Sequence, residues 1–158
     1  MTAPITPYTK YLGDRDPLAA IRDSLEKVQV LTRDWTPARF EGCYAPGKWS
    51  ARQVLTHLAQ TELALGSRAR MAVSTPGYVA QPFDQDDWIA LDARLDGRQA
   101  VDAFLAIAHM NLAFFEGLSA AQRGTTLSHP EYGELTVDWI IHQIAGHHIN
   151  HLLQLERV

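Results

Sequence analysis

Four stretches of this chain place apolar residues three and four positions apart, and no stretch alternates apolar with polar over the length of a strand. That spacing puts one apolar stripe on each of four helices, which have to bury those stripes against one another. The first stretch carries Leu18, Ile21, Leu25, Val28 and Leu31. Asp16-Pro17 opens it as an N-cap followed by proline in the first helical position, and Thr36-Pro37 closes it, so the pattern predicts a helix from Pro17 to about Asp34. After a loop over 37–49, Ser50 and Gln53 form a capping box, with Trp49 and Val54 placed as a hydrophobic staple. Val54, Leu58, Thr61 and Leu65 share a face of this second helix, which is expected to reach about Val73.

The next segment, 75–96, holds Pro76, Gly77, Pro82 and the acidic aromatic run Phe83-Asp84-Gln85-Asp86-Asp87-Trp88. It reads as irregular, with a short helix near Trp88 to Arg94. A connection of this length is a crossover or a functional cover, and it is long enough for the second and third helices to run parallel. Asp96 and Gln99 open the third helix, marked by Val101, Phe104, Leu105, Ala108, Leu112 and Phe115 and ending near Gly117. A link over 119–135 follows. Thr136 caps the fourth helix, which continues to about Glu156. The expectation is an all-α, four-helix bundle: an extended arm over 1–15 and a single domain over 16–158, with no internal repeat.

Several function classes fall away on composition. A net charge of −4, with scattered Lys and Arg, argues against a nucleic-acid partner. No apolar run is long enough to span a bilayer, so no membrane partner is expected. The start, MTAPITPYTKYLGD, lacks the basic and apolar blocks of a secretory signal, which makes cytoplasmic residence the expectation. Cys43 is the only cysteine, so neither an intrachain disulfide nor a cysteine metal cage can form. There is no Gly-x-Ser-x-Gly elbow and no glycine-rich phosphate loop.

The histidines carry the chemistry. Four of the seven, His142, His147, His148 and His151, lie in the last seventeen residues. At about 100° per residue, with Ile140 as zero, His147 falls near −20° and His151 near +20°, on the inner face; His148 falls near +80° and His142 near 200°. The i, i+4 pair His147 and His151 lets two imidazoles converge on one ion. His148 is a rival to His147 on angles alone. Ordinary core histidines, each with its own hydrogen-bond partner, are the competing explanation, and a costly one for so many imidazoles among Ile and Leu. His57, on the inner edge of the second helix, can supply a ligand from a second helix. Imidazole ligands suit Zn or Ni first, with Fe or Mn as alternatives. Three protein ligands leave a position open for water or a small-molecule substrate.

The remaining candidates are weaker. Asp84, Asp86 and Asp87 lack EF-hand spacing and read as a solvated loop or a helix cap. Glu62, five residues after His57, reads as a surface salt-bridge partner. His129 and Tyr132 sit where they could line a pocket mouth, although such loop residues are ordinarily solvated. His109 reads as structural or exposed.

Gly47 to Leu58, His147 to Leu155 and Pro130 to Val137 together resemble the DinB/YfiT-like superfamily of candidate metalloenzymes. The first segment is similar to that family's Trp-Ser lead into a helix 2 histidine. The second is similar to its closing helix, where two histidines four apart precede a glutamine, here Gln154. The resemblance implies a bundle of the DinB/YfiT type with a metal on His57, His147 and His151, and it selects His147 over His148. It also implies transferase chemistry with a low-molecular-weight thiol such as bacillithiol or mycothiol, the metal activating the sulfur. Thr56 stands where the bacillithiol transferases carry a second histidine. A metal-dependent hydrolase and a non-catalytic metal- or ligand-binding bundle are the other expectations, with a homodimer formed through an apolar helix face.

Overall fold

A computed structural model describes residues 3–158. In chain order these form α1 (Thr9–Leu12), α2 (Pro17–Thr32), α3 (Pro37–Phe40), α4 (Ala51–Ser74), α5 (Gln85–Leu91), α6 (Gly97–Glu116), α7 (Ala120–Arg123), β1 (Thr126–His129), β2 (Gly133–Thr136) and α8 (Val137–Leu155). The four long helices α2, α4, α6 and α8 make the bundle that the apolar spacing predicts. No helix among the described residues is long and apolar enough to cross a membrane.

The helix starts follow local chemistry. The Asp16 side chain accepts from the Ala19 N–H, with Pro17 at the first helical position of α2. Ser50 with Gln53, and Asp96 with Gln99, close complete capping boxes on α4 and α6. Each satisfies backbone donors that would otherwise have no partner, worth roughly 1 kcal/mol per cap. Asp84 caps α5, accepting from the Asp86 and Asp87 N–H groups, so the acidic run serves a helix start.

Side-chain contacts set the directions of the helices. Phe40, just before α4, packs on Gly97 at the start of α6, and Asn111 near the end of α6 bonds Glu62 of α4. The two helices therefore run parallel, and 75–96 is the crossover between them. Arg98 at the start of α6 reaches the Thr32 carbonyl at the end of α2, so α2 is antiparallel to α6. His147 meets His57, and Ile140 shares a cavity with Leu65, which makes α8 antiparallel to α4. Between the helices, Ile21, Leu25, Leu55, Leu58, Phe104, Phe115, Ile140, Ile141, Ile144 and Leu155 are almost wholly buried. Burial of each such side chain is worth roughly 1.5–3 kcal/mol against leaving it exposed.

Three parts differ from the sequence expectation. The link over 119–135 contains an antiparallel hairpin, with Leu127 opposite Leu135 and His129 opposite Gly133. Its strands are four residues long, too short for alternation to stand out in the sequence. The crossover docks beside it: the Ala80 N–H donates to the Ser128 carbonyl at 2.8 Å, and the Ser128 N–H to the Tyr78 carbonyl at 3.1 Å. The expected arm over 1–15, of which residues 1–2 lie outside the described residues, holds one helical turn, α1, and packs along α8. Gly146 makes that approach close: a Cβ there would stand 2.6 Å from the Tyr8 carbonyl oxygen.

Candidate metal centre

His57 projects from the second turn of α4, and His147 and His151 from one face of α8, all three buried at 3–6% exposure. The Nε2 atoms of His57 and His147 are 2.9 Å apart. One ring nitrogen from each of the three histidines lies within 4.8 Å of the other two, close enough to serve a single ion. Two nitrogens each about 2.0–2.1 Å from one metal stand roughly 3 Å apart, so this separation suits shared ligation.

Burial keeps the cluster neutral, which is the form that ligates. It lowers His57 to about 3, the neighbouring His151 adding to the effect. His147 is held well below its ordinary value, first by burial and then by His151, His57 and His148. His151 is lowered to about 4, burial outweighing the hydrogen bond to Gln154 that opposes it. That bond joins His151 Nδ1 to Gln154 Oε1 at 2.7 Å. The amide oxygen can only accept, so Nδ1 carries the proton and Nε2 is left with its lone pair.

Without an ion, this arrangement is poorly satisfied. Two neutral imidazoles can share at most one hydrogen bond between their Nε2 atoms, a contact that a shared ion would replace; Nδ1 of His57 and of His147 is buried without a partner in either case. The cluster has no carboxylate to compensate a proton. Three neutral imidazoles converging on one point fit a divalent transition metal.

The cluster opens on a cavity of about 220 Å³. His57 and His147 form part of its wall, with Leu65, Leu135, Trp139 and Ile140 behind them. The hairpin contributes Leu127, His129, Glu131 and Tyr132, and the crossover contributes Pro82 and Phe83, so 75–96 is a cover as well as a crossover. Pro7 and Tyr8 close one side, Tyr8 meeting the His147 ring edge-on at 5.1 Å between centroids. Burial raises the Tyr8 phenol, with Tyr132 and Tyr11 adding to it. Arg68 also lines the cavity and is lowered by burial, against the opposing influence of Tyr78, Glu131 and Tyr132.

His148 points elsewhere. Its Nε2 lies 2.6 Å from Glu62 Oε1, and both side chains are 2% exposed. Glu62 Oε2 accepts from Asn111 Nδ2 at 2.6 Å, and Asn111 Oδ1 accepts from Arg70 at 2.6 Å. Glu62 is thus a buried partner rather than the surface residue its sequence position suggests. Its only available signals were Asn111, a polar residue among the apolar positions of the third helix, and His148 itself. His109 is exposed, as is Cys43, and the His142 ring bonds the Asp138 carbonyl on the outer side of α8. The sequence pattern did not single out Tyr8 or Arg68. Gly146, beside His147 on a buried face, was the one local hint that another backbone approaches there.

A parallel–antiparallel helical bundle with three inward, uncharged histidines at one cavity defines a class of histidine-site bundle proteins. The sequence model of the DinB superfamily matches residues 18–155, and the chain belongs to that superfamily. A relative from Oceanobacillus iheyensis, named as a candidate metal-dependent hydrolase, is 26% identical over 123 residues, covering 77% of this chain and 72% of its own. Among solved structures, the fold is similar to YfiT from Bacillus subtilis, described as a candidate metal-dependent hydrolase with an unusual four-helix bundle topology. The TM-score is 0.78 at 19% identity, over 99% of this chain and 91% of that one. It is also similar to a mycothiol-dependent maleylpyruvate isomerase, with a TM-score of 0.74 at 13% identity over 95% of this chain. This chain spans 61% of the isomerase's length.

Proposed function

We propose that the chain is a metal-dependent enzyme of hydrolase type, with one divalent ion, Zn or Ni before Fe or Mn, held by His57, His147 and His151. The observation that carries the reading is the meeting of three buried, neutral imidazoles, two of which, His57 and His147, line a cavity large enough for a small molecule. When bound, such an ion supplies Lewis acidity and draws the pKa of a ligand water or thiol toward neutrality.

The residues of the chain do the rest. Gln154 fixes the tautomer of His151 and aims its Nε2 at the cluster. Tyr8 against His147, and Trp49 at 5.0 Å from the His57 ring, hold the imidazoles in orientation. The apolar wall of Leu65, Leu135 and Ile140 limits water beside the reacting group. Held by three histidines, a four-coordinate ion would keep one position for water or substrate, the arrangement of a catalytic rather than a structural site.

Hydrolysis is favoured by the names that the curated relatives carry. A second reading, transfer of a low-molecular-weight thiol, draws on the likeness of fold to the mycothiol-dependent isomerase. One experiment separates them: elemental analysis of the purified chain and of the His57→Ala/His147→Ala/His151→Ala variant, followed by turnover of ester and amide panels with and without bacillithiol or mycothiol. Metal in the parent alone, with turnover that needs no thiol, is the expected result. Turnover only with a thiol favours the second reading. Equal metal in both proteins overturns the centre.

A further inference from the structure

We infer that the end of the cavity away from the histidine cluster is an anion subsite, built by Arg68 and His129, which takes the carboxylate of a small molecule with an apolar body. The inference rests on the reading of this cavity as the substrate site.

The helix α4 sets the geometry. Arg68 lies eleven residues after His57, which is roughly 16 Å along the axis and only about 20° around it. His57, Thr61, Leu65 and Arg68 therefore line one side of the cavity in order. The wall between its two ends carries apolar surface from Leu65, Leu127, Leu135 and Ile140 with the Trp139 and Phe83 rings, alongside the polar Thr61 and Gln143.

Arg68 has donors to spare. A guanidinium carries five N–H groups in a planar fork. One nitrogen, Nη2, donates to the Gln81 carbonyl of the crossover, and the group lies 5.7 Å from the centre of the Phe83 ring. Pinning the crossover uses that one contact and leaves the fork open. Among the described residues no carboxylate is within 4.0 Å of Arg68, although three other arginines have such partners. The acid that lines the same cavity, Glu131, is exposed in the hairpin turn. A half-buried guanidinium with no carboxylate in direct contact, Glu131 acting on it only at longer range, costs desolvation that a bound carboxylate offsets, and its fork matches a carboxylate in two places at once.

His129 adds a second donor. It is 7% exposed, and its Nδ1 accepts the Glu131 backbone N–H at 3.2 Å. The neutral ring therefore carries its proton on Nε2. Arg68 and His129 line the same cavity, and burial first, with the Arg68 charge adding to it against the opposing Glu131, lowers the His129 imidazole. Cation, ring N–H and apolar wall together select a monoanion such as an aryl- or alkyl-carboxylate over a neutral or cationic molecule.

The test is calorimetric titration of the full chain with 3-phenylpropionate and with its neutral amide, before and after chelation of metal. The acid is expected to bind about tenfold or more tighter than the amide, with or without metal. Arg68→Met is expected to remove the preference, acid and amide then binding alike, with metal content unchanged, and Arg68→Lys to keep part of it. Equal affinity for acid and amide, or an undiminished preference in folded Arg68→Met, overturns the subsite. Should Arg68→Met fail to fold, the parent chain with ¹⁵N-labelled arginine decides the matter: 3-phenylpropionate should shift one guanidinium Nε–H resonance, and a titration that shifts none overturns it. The triple-histidine variant keeps the two readings apart. Loss of metal there with the acid preference intact supports both. Equal metal in parent and variant sinks the metal centre alone, and normal metal dependence without acid preference sinks the subsite alone.

Discussion

Two adjacent histidines on α8 end in opposite electrostatic settings. His147 turns toward α4 and the cavity, where it meets two more imidazoles and no acid. His148, about 100° further round the helix, turns toward the packed seam between α4 and α6, where Glu62, Asn111 and Arg70 form a continuous polar chain. Both residues are 3% exposed, so burial does not distinguish them. Partners do. A buried imidazole facing a carboxylate has its Nε2 paired within the protein, though Nδ1 of His148, like Nδ1 of His147, has no partner. Three imidazoles facing one another cannot all be paired in this way, and an ion is the partner that satisfies all three lone pairs together. On the proposed reading, the difference in what Nε2 meets is what marks His147 as a ligand and His148 as a structural histidine when spacing and burial agree.

The strongest way to break this comparison is to exchange the roles of the neighbours. His147→Ala should take bound metal from about one ion per chain to background, while His148→Ala should leave metal content near the parent value. Inductively coupled plasma mass spectrometry of the purified proteins reads this directly; metal retained by the first and lost by the second would reverse the assignment.

Glu62→Ala probes the other side. It leaves His148 buried without its acceptor and takes from Asn111 one of two acceptors, the Glu62 carbonyl remaining, so unfolding in urea should show a loss of about 3 kcal/mol, with metal content per folded chain unchanged. Little change in stability would mean that the polar chain is dispensable.

A smaller effect is expected at Gln154, which touches the cluster only through His151. Gln154→Ala should weaken metal affinity about 10–100-fold in competition with a chelator, and Gln154→Glu, which keeps an acceptor at that position, should recover much of it.

A further effect is a gradual pH dependence of the metal-free chain. His57 and His151 titrate near 3 and 4 when folded, against an ordinary value of 6.5. Above 6.5 they are neutral in both states and cost nothing. Below it the unfolded chain takes up protons that the folded chain refuses, so stability falls as pH drops from about 6.5 toward 3. Melting temperatures across that range should decline steadily, and the decline should flatten in the triple-histidine variant.

Much of this was readable in the chain. The four helices, their caps and their stripes follow from interactions within a few residues, which is why the spacing of Ser50 with Gln53 and of Asp96 with Gln99 is enough to mark two helix starts. The pairing of His147 with His151 is likewise a property of one helix. His57 lies ninety residues away, and only packing joins it to them.

The sequence on its own therefore determined the helical class and the starts of its helices, because each depends on local geometry with a known period; the same geometry set His147 and His151 four apart but left His148 as a rival. Tertiary structure alone decided that α4 and α6 run parallel, that Glu62 is buried against His148, that Tyr8 closes onto Gly146, and that Arg68 shares a cavity with His57. Those outcomes depend on which faces meet across long stretches of chain, and no local period encodes that.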